Sequence, residues 1–214
     1  REWSFEGALP DVVSAIWLVG TPAFHYTSAF YGHQIVAVGL LGALLAFHLG
    51  FRAPPGWRRA GLFVGAGAGL GLAGLTEYQA GIPAVFFTIY AATKWRELEW
   101  RDAAAFAVGA LPFAMMLFAY NTLAFGGPLE LSYEHLTAEH LSAKHTEGIG
   151  GITAPRTSAM AGLLYSGHRG LLTTAPALLL VIPGLWKSWQ KSPRVTVLVV
   201  VTFVYYFVLV SASS

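Results

Sequence analysis

Long apolar segments recur along this chain and constrain its fold more than any other feature. Several runs reach about 17–22 residues, long enough for an α-helix to cross a hydrocarbon core of roughly 30 Å. Charged residues make up only 11% of the 214 residues, whereas a soluble domain carries about a quarter. So little charge could not cover the surface of a soluble protein of this size. The sequence therefore predicts an all-α, polytopic transmembrane helical bundle.

The apolar pattern predicts about seven crossings. They cover residues 11–30, 34–50, 61–75, 80–93, 103–125, 171–186 and 195–210. We expect residues 1–214 to form a single transmembrane domain, with residues 126–170 as a long loop on the outer face. The chain begins at Arg1 and stops at "VSASS" directly after an apolar run, so we expect a segment of a longer polypeptide.

The positions of Lys and Arg predict the orientation, because cytoplasmic loops are enriched in both. The basic loops "FRAPPGWRRA", "KWRELEWRD" and "KSWQKSPR" alternate with the other loops, as seven crossings require. With Arg1 they hold ten of the thirteen basic residues, and the other three lie on the opposite face. We expect a bacterial inner-membrane protein with a cytoplasmic N-terminal end.

The turn "LTEYQAG" places Glu77 between the third and fourth predicted crossings, on the outer face. This carboxylate is either simply solvated or part of a functional cavity, since ionisable groups at membrane depth tend to mark such sites. We expect a cavity, with partners from the first outer turn or the long loop. His25 and His33 lie in that first turn, and Tyr78 is adjacent in sequence.

The outer-face loop is expected to contain interfacial helices. "ELSYEHLTAEHLSAKH" has near-helical leucine spacing, and "SAMAGLLYSG" predicts a second short helix. His135, His140 and His145 are five residues apart, which rotates each by about 140° from the last and disfavours a shared metal site. No metal site is predicted. Cysteine is absent, which excludes disulfides and thiolate ligands.

Other residues suit phosphate binding or helix packing. Arg169 lies in "SGHRGLL" between two glycines, and a guanidinium binds phosphate through paired donors. The alternative is an arginine that extends to lipid headgroups. The third crossing, "GLFVGAGAGLGLAGL", has glycines four residues apart, a pattern that lets helices approach closely.

Four stretches of the chain resemble one family of bacterial membrane proteins. They are "GTPAFHYTSAFYGHQIVAVGLLGALLAFHL", "GLAGLTEYQAGIPAVFFTIYAA", "AYNTLAFGGPLELSY" and "LLYSGHRGLLTTAPALLLVIPGL". Taken in order, they resemble glycosyltransferase family 39-like proteins, which are related to protein O-mannosyltransferases within the GT-C superfamily. The resemblance implies a polyprenyl-phosphate-linked sugar donor used at an outer-face active site. The family's catalytic acid usually lies in the first outer loop, and no residue of this chain matches it convincingly.

Three functions follow as hypotheses. The first is a membrane sugar transferase, with Glu77 and His33 as candidate catalytic residues. Its candidate ligands for substrate or phosphate are Arg169, Arg156, Lys144, Tyr78 and His25. The second is a non-catalytic subunit that docks into a larger membrane assembly through the glycine-rich crossing. The third is a transporter with helices broken at Pro22 and Pro112. The expected partners are membrane lipid, a lipid-linked sugar and other membrane proteins; a net charge of +2 gives no indication of nucleic acid.

Overall fold

The computed structural model describes residues 8–21, 23–24, 31–130, 132–135, 153–168 and 170–212. These residues are helical or lie in connections, and no strand occurs among them. The chain divides into two compact units. The core unit is Gly32–Gly150, and the terminal unit combines Arg1–Tyr31 with Gly151–Ser214.

In the described residues of the core unit there are four α-helices. They are α2 (His33–Gly50), α3 (Trp57–Thr76), α4 (Gly81–Ala92) and α5 (Trp100–Phe125). A short 3-10 turn, Tyr78–Ala80, leads from α3 into α4, and another covers Ser132–His135. Helix α3 lies at the centre, with α2 and α5 packed against it. Gly126, at φ +92°, ends α5 in a left-handed conformation that glycine adopts readily.

Glycines bring the backbones of these helices into contact. A methyl group added to Gly39 of α2 would lie 2.6 Å from the carbonyl oxygen of Gly69 on α3. A methyl group on Gly67 of α3 would collide with the carbonyl of Phe106 on α5, and one on Gly109 would collide with that of Val64. The predicted packing role of the glycine-rich crossing is therefore confirmed, and these contacts are made within the chain.

The described part of the terminal unit has several short helices and one long helix. They are α1 (Leu9–Val19), α6 (Thr157–Tyr165), α7 (Leu171–Thr174), α8 (Val181–Lys191) and α9 (Pro193–Ala212), with a 3-10 segment over Pro176–Leu180. The backbone N–H and the hydroxyl of Thr153 both donate to the carbonyl of Ala212, at 2.9 and 3.0 Å. These bonds satisfy a carbonyl that the end of α9 would otherwise leave without a donor.

Four of the helices in the described residues, α2, α3, α5 and α9, are long and apolar enough to cross a membrane. They match the second, third, fifth and seventh predicted crossings and indicate a membrane protein. Helices α1 and α4 have only 11 and 12 residues. The sixth predicted crossing is not one continuous helix, because the backbone leaves the helical region at Ala175 and Pro176 starts a 3-10 segment.

Two further predictions concern local helices. The helix predicted in "SAMAGLLYSG" is confirmed as α6, while most of the one predicted over residues 131–144 lies outside the described residues. Helix α5 is continuous through Pro112, so the break expected of a transporter there does not occur. Pro22 lies outside the described residues.

Candidate functional site

A carboxylate and an imidazole meet at one end of the core unit. Glu77 follows the last residue of α3 in an extended conformation, φ −143° and ψ 121°, and its backbone N–H caps the helix by donating to Ala73. His33 is the first residue of α2. Its Nδ1 lies 2.5 Å from Oε1 of Glu77. The expectation that Glu77 has a polar partner from the segment around His33 is therefore confirmed, while the cavity and the outer-face location stay predictions.

Gly32 allows this close approach. A methyl group at Gly32 would lie 2.7 Å from Cγ2 of Thr76 and 3.1 Å from Oε1 of Glu77, so any larger residue would push α2 away from the carboxylate. Glu77 consequently lies beside the N-terminus of α2, where the helix dipole stabilises negative charge.

The geometry of the pair assigns roles to the two ring nitrogens of His33. An ionised carboxylate can only accept hydrogen bonds, so Nδ1 carries a proton and donates it to Glu77. In the neutral imidazole, Nε2 then holds the lone pair and is the basic atom. The side chain of His33 is 58% exposed and that of Glu77 only 18%. In this pair the imidazole is therefore the more accessible group and the carboxylate is the more buried one.

A second set of polar contacts lies next to this pair. The hydroxyl of Tyr78 donates to Oδ1 of Asn121 at 3.0 Å, and the amide of Asn121 donates to the carbonyl of Pro128 at 3.2 Å. Asn121 is buried near the end of α5. These bonds join the α3–α4 turn to the start of the 126–130 connection. The hydroxyl of Tyr78, predicted as a substrate ligand, therefore also anchors the fold.

The other predicted ligands lie in the terminal unit or outside the described residues. Arg156 lies in the terminal unit, where it precedes α6 with an exposed side chain and its backbone N–H donates to Ser211. His25, Lys144 and Arg169 lie outside the described residues. Among the predicted site residues, the structure brings Glu77 and His33 into contact, while the hydroxyl of Tyr78, the next residue in the chain, bonds to Asn121 on α5.

At the opposite end of α3, about 26 Å along the helix axis, lies a buried ion pair that sequence reasoning missed. Nε and Nη2 of Arg59 donate to the carboxylate of Asp102 at 2.9 and 2.5 Å, and Nη2 also donates to the carbonyl of Glu97. Both side chains are buried. Arg59 therefore lies in the first turn of α3 and is buried, not in the predicted loop. The sequence did carry a signal, because Glu99 and Asp102 form a capping box at the start of α5.

This ion pair also tests part of the predicted topology. The pair links the 51–56 connection and the start of α3 to the 93–99 connection and the start of α5. Two of the predicted basic loops thus lie at one end of the core unit, hereafter the basic end. Glu77 and His33 lie at the other, hereafter the Glu77 end.

No group of three or more potential metal ligands occurs among the residues that the structure describes. His135 instead stacks on Phe125, with ring centroids 4.8 Å apart, and lies 3.8 Å from Glu130. His140 and His145 lie outside the described residues.

Comparisons with protein-family models, with curated proteins and with solved structures found no match for this chain.

Proposed function

We propose that this chain is an integral membrane protein of the bacterial cytoplasmic membrane in which His33 and Glu77 transfer a proton during sugar transfer. Four apolar helices support membrane insertion. The excess of Lys and Arg in the loops at the basic end favours a cytoplasmic location for that end. The Glu77 end then lies at the outer face.

The observation that carries the proposal is the 2.5 Å contact between Nδ1 of His33 and Oε1 of Glu77. A carboxylate that bonds to one ring nitrogen of an exposed histidine orients the ring, as a general base requires. Nε2 of His33 accepts the proton of an acceptor hydroxyl while that oxygen attacks the anomeric carbon of the donor sugar. The bond from that carbon to the phosphate oxygen breaks, and polyprenyl phosphate leaves with the electron pair.

The phosphate of such a donor requires cationic ligands. Arg169, Arg156 and Lys144 are the residues predicted for this role, because they are the basic residues expected on the outer face. Their part in the proposal rests on the sequence alone. Tyr78, held by Asn121, lies beside Glu77 and would contact the donor or the acceptor.

The test is a transfer assay with purified protein in liposomes. The liposomes contain a polyprenyl-phosphate-linked mannose or glucose that is labelled in the sugar. Loss of label from the lipid, with the sugar recovered in an acceptor or in water, is the activity. His33→Ala should lower the rate about 10²- to 10⁴-fold, the usual contribution of general acid–base catalysis. Glu77→Gln should lower it less, because an amide can still accept the hydrogen bond from Nδ1. Gln79→Ala, at an exposed neighbour, is the matched control and should be unaffected.

The alternative is a non-catalytic subunit of a larger membrane assembly. Its expected docking surface was the glycine-rich crossing, but Gly67 and Gly69 of α3 already contact α5 and α2. The same variants separate the two functions. A wild type that transfers no sugar, together with a Glu77→Gln protein that is less stable or fails to co-purify with partner proteins, would favour the subunit and overturn the transferase.

A further inference from the structure

A cavity of about 200 Å³ opens on the side of the core unit, near the basic end. It lies between the last turn of α4 and the first turns of α5, and we refer to it as the lateral cleft. Phe47 and Phe63 form its buried floor, and Phe106 stacks on Phe47 with centroids 5.7 Å apart. Thr88 and Ala103 line its exposed walls. The cleft therefore opens sideways, between two helices, and has an aromatic floor.

The lining is chemically apolar although it includes two polar side chains. The carboxylate of Asp102 is bonded to Arg59 and to the backbone N–H of Glu99. The hydroxyl of Thr88 donates to the carbonyl of Ala84 at 2.9 Å. Both polar groups are satisfied by their own neighbours, so the cleft offers little to a water molecule. Apolar cavities of about 150 Å³ stay dry and accept apolar guests.

Exposed tryptophans locate the cleft with respect to a bilayer. Trp57, Trp95 and Trp100 lie at the basic end and are 88%, 68% and 76% exposed. Tryptophan concentrates at the membrane–water interface. Two of the rings carry a cation, with Arg96 over Trp95 and Arg101 over Trp100 at 5.2 and 5.7 Å. The cleft begins within a turn of Trp100, so it lies in the hydrocarbon just inside this interface.

The ammonium group of Lys94 lies near the cleft. Nζ of Lys94, two residues beyond the end of α4, lies 4.6 Å from the centroid of Phe51. Phe51 stacks in turn on Phe47 of the floor. Lys94 also pairs with Glu97 at 3.1 Å, and 22% of its own side chain is exposed, which leaves part of it open to an anion from the bilayer surface. Basic residues at this depth attract anionic lipid headgroups.

From this arrangement we infer that the lateral cleft binds one acyl chain of an anionic glycerophospholipid whose headgroup phosphate contacts Lys94. A void in close-packed hydrocarbon loses dispersion contacts along its walls, and a flexible chain restores them. Lys94, the cationic rim of the cleft, then favours anionic lipids among those whose chains can enter. The inference is independent of sugar transfer, because the cleft lies at the end of α3 opposite to Glu77.

The experiment is native mass spectrometry of the purified full chain in mild detergent, with dioleoyl phosphatidylglycerol or dioleoyl phosphatidylcholine added. The wild type should retain one phosphatidylglycerol in preference to phosphatidylcholine. Ala103→Phe fills one wall and should abolish retention of both lipids. Ala104→Phe, at the next exposed position and outside the lining, is the matched control and should retain the wild-type pattern.

The rim is tested by charge. Lys94→Gln should reduce the preference for phosphatidylglycerol about fivefold, as expected for one basic residue at an anionic surface, and Lys94→Arg should keep it. Thr88→Phe fills the other wall of the cleft. It serves as the wall variant if the Ala103→Phe protein is not monodisperse. Equal retention by the wall variants and by Ala104→Phe, or no preference in the wild type, would overturn the inference.

Discussion

Breaking the Arg59–Asp102 pair from one side should strongly destabilise the core unit. Arg59 holds the carboxylate with Nε and Nη2, at 2.9 and 2.5 Å, and both residues are buried. Asp102→Asn removes the negative charge but keeps an oxygen that can cap the N–H of Glu99. The guanidinium is then left buried with an uncompensated charge. Removing one partner of such a pair typically costs about 3–5 kcal/mol, and we expect a loss of that size.

Removing both charges should cost far less. In Arg59→Met/Asp102→Leu no ion remains to be desolvated, and apolar replacement of a buried pair is often neutral or stabilising. The lost cap at Glu99 costs about 1 kcal/mol. We therefore expect the double variant to lie within about 1–2 kcal/mol of the wild type. The difference between single and double variants measures the penalty of the unpaired charge itself.

The assay is unfolding of the purified protein in mixed micelles with increasing dodecyl sulfate, followed by circular dichroism. Arg58→Gln, at the neighbouring exposed arginine, is the control and should change the free energy of unfolding by less than about 0.5 kcal/mol. A loss below about 1 kcal/mol in Asp102→Asn would refute the argument, because the guanidinium would then be hydrated. A double variant as unstable as the single one would show that packing, not charge, matters at this position.

Two further predictions concern topology and helix packing. In intact cells, a cysteine that replaces Trp57 at the basic end should be shielded from an impermeant maleimide, and one that replaces Leu129 should be labelled; labelling from outside at position 57 would reverse the orientation. Gly67→Val should destabilise the protein by about 1–3 kcal/mol in the dodecyl sulfate assay, because its side chain meets the backbone of α5 at Phe106. Gly65 has open space around it, so Gly65→Ala should not destabilise the protein. Equal unfolding midpoints for Gly67→Val and Gly65→Ala would contradict the packing argument.

The parts of this fold that the sequence predicts are those decided by local composition. Uninterrupted apolar runs predict α2, α3, α5 and α9, because length and hydropathy suffice to define such helices. The same criterion joined residues 171–186 into one crossing, where the structure has three short elements. Hydropathy does not register that Ala175 leaves the helical region or that Pro176 lacks a backbone donor. Hydropathy also cannot predict a contact between residues that are distant in sequence, such as Arg59 and Asp102, which are 43 residues apart.

The two ends of α3 show why one ionic pair is a candidate for chemistry and the other is not. At the basic end, Arg59 and Asp102 are buried and bonded to each other and to backbone groups, so neither can meet a substrate. At the Glu77 end, the carboxylate is held by the chain but the imidazole remains largely exposed. A tight turn at a membrane edge predicts a partner for Glu77, because an unpaired carboxylate is costly there. The unequal burial of that pair depends on tertiary packing around the turn, which the sequence does not reveal, and it is the reason that the proposed reaction assigns the base to His33.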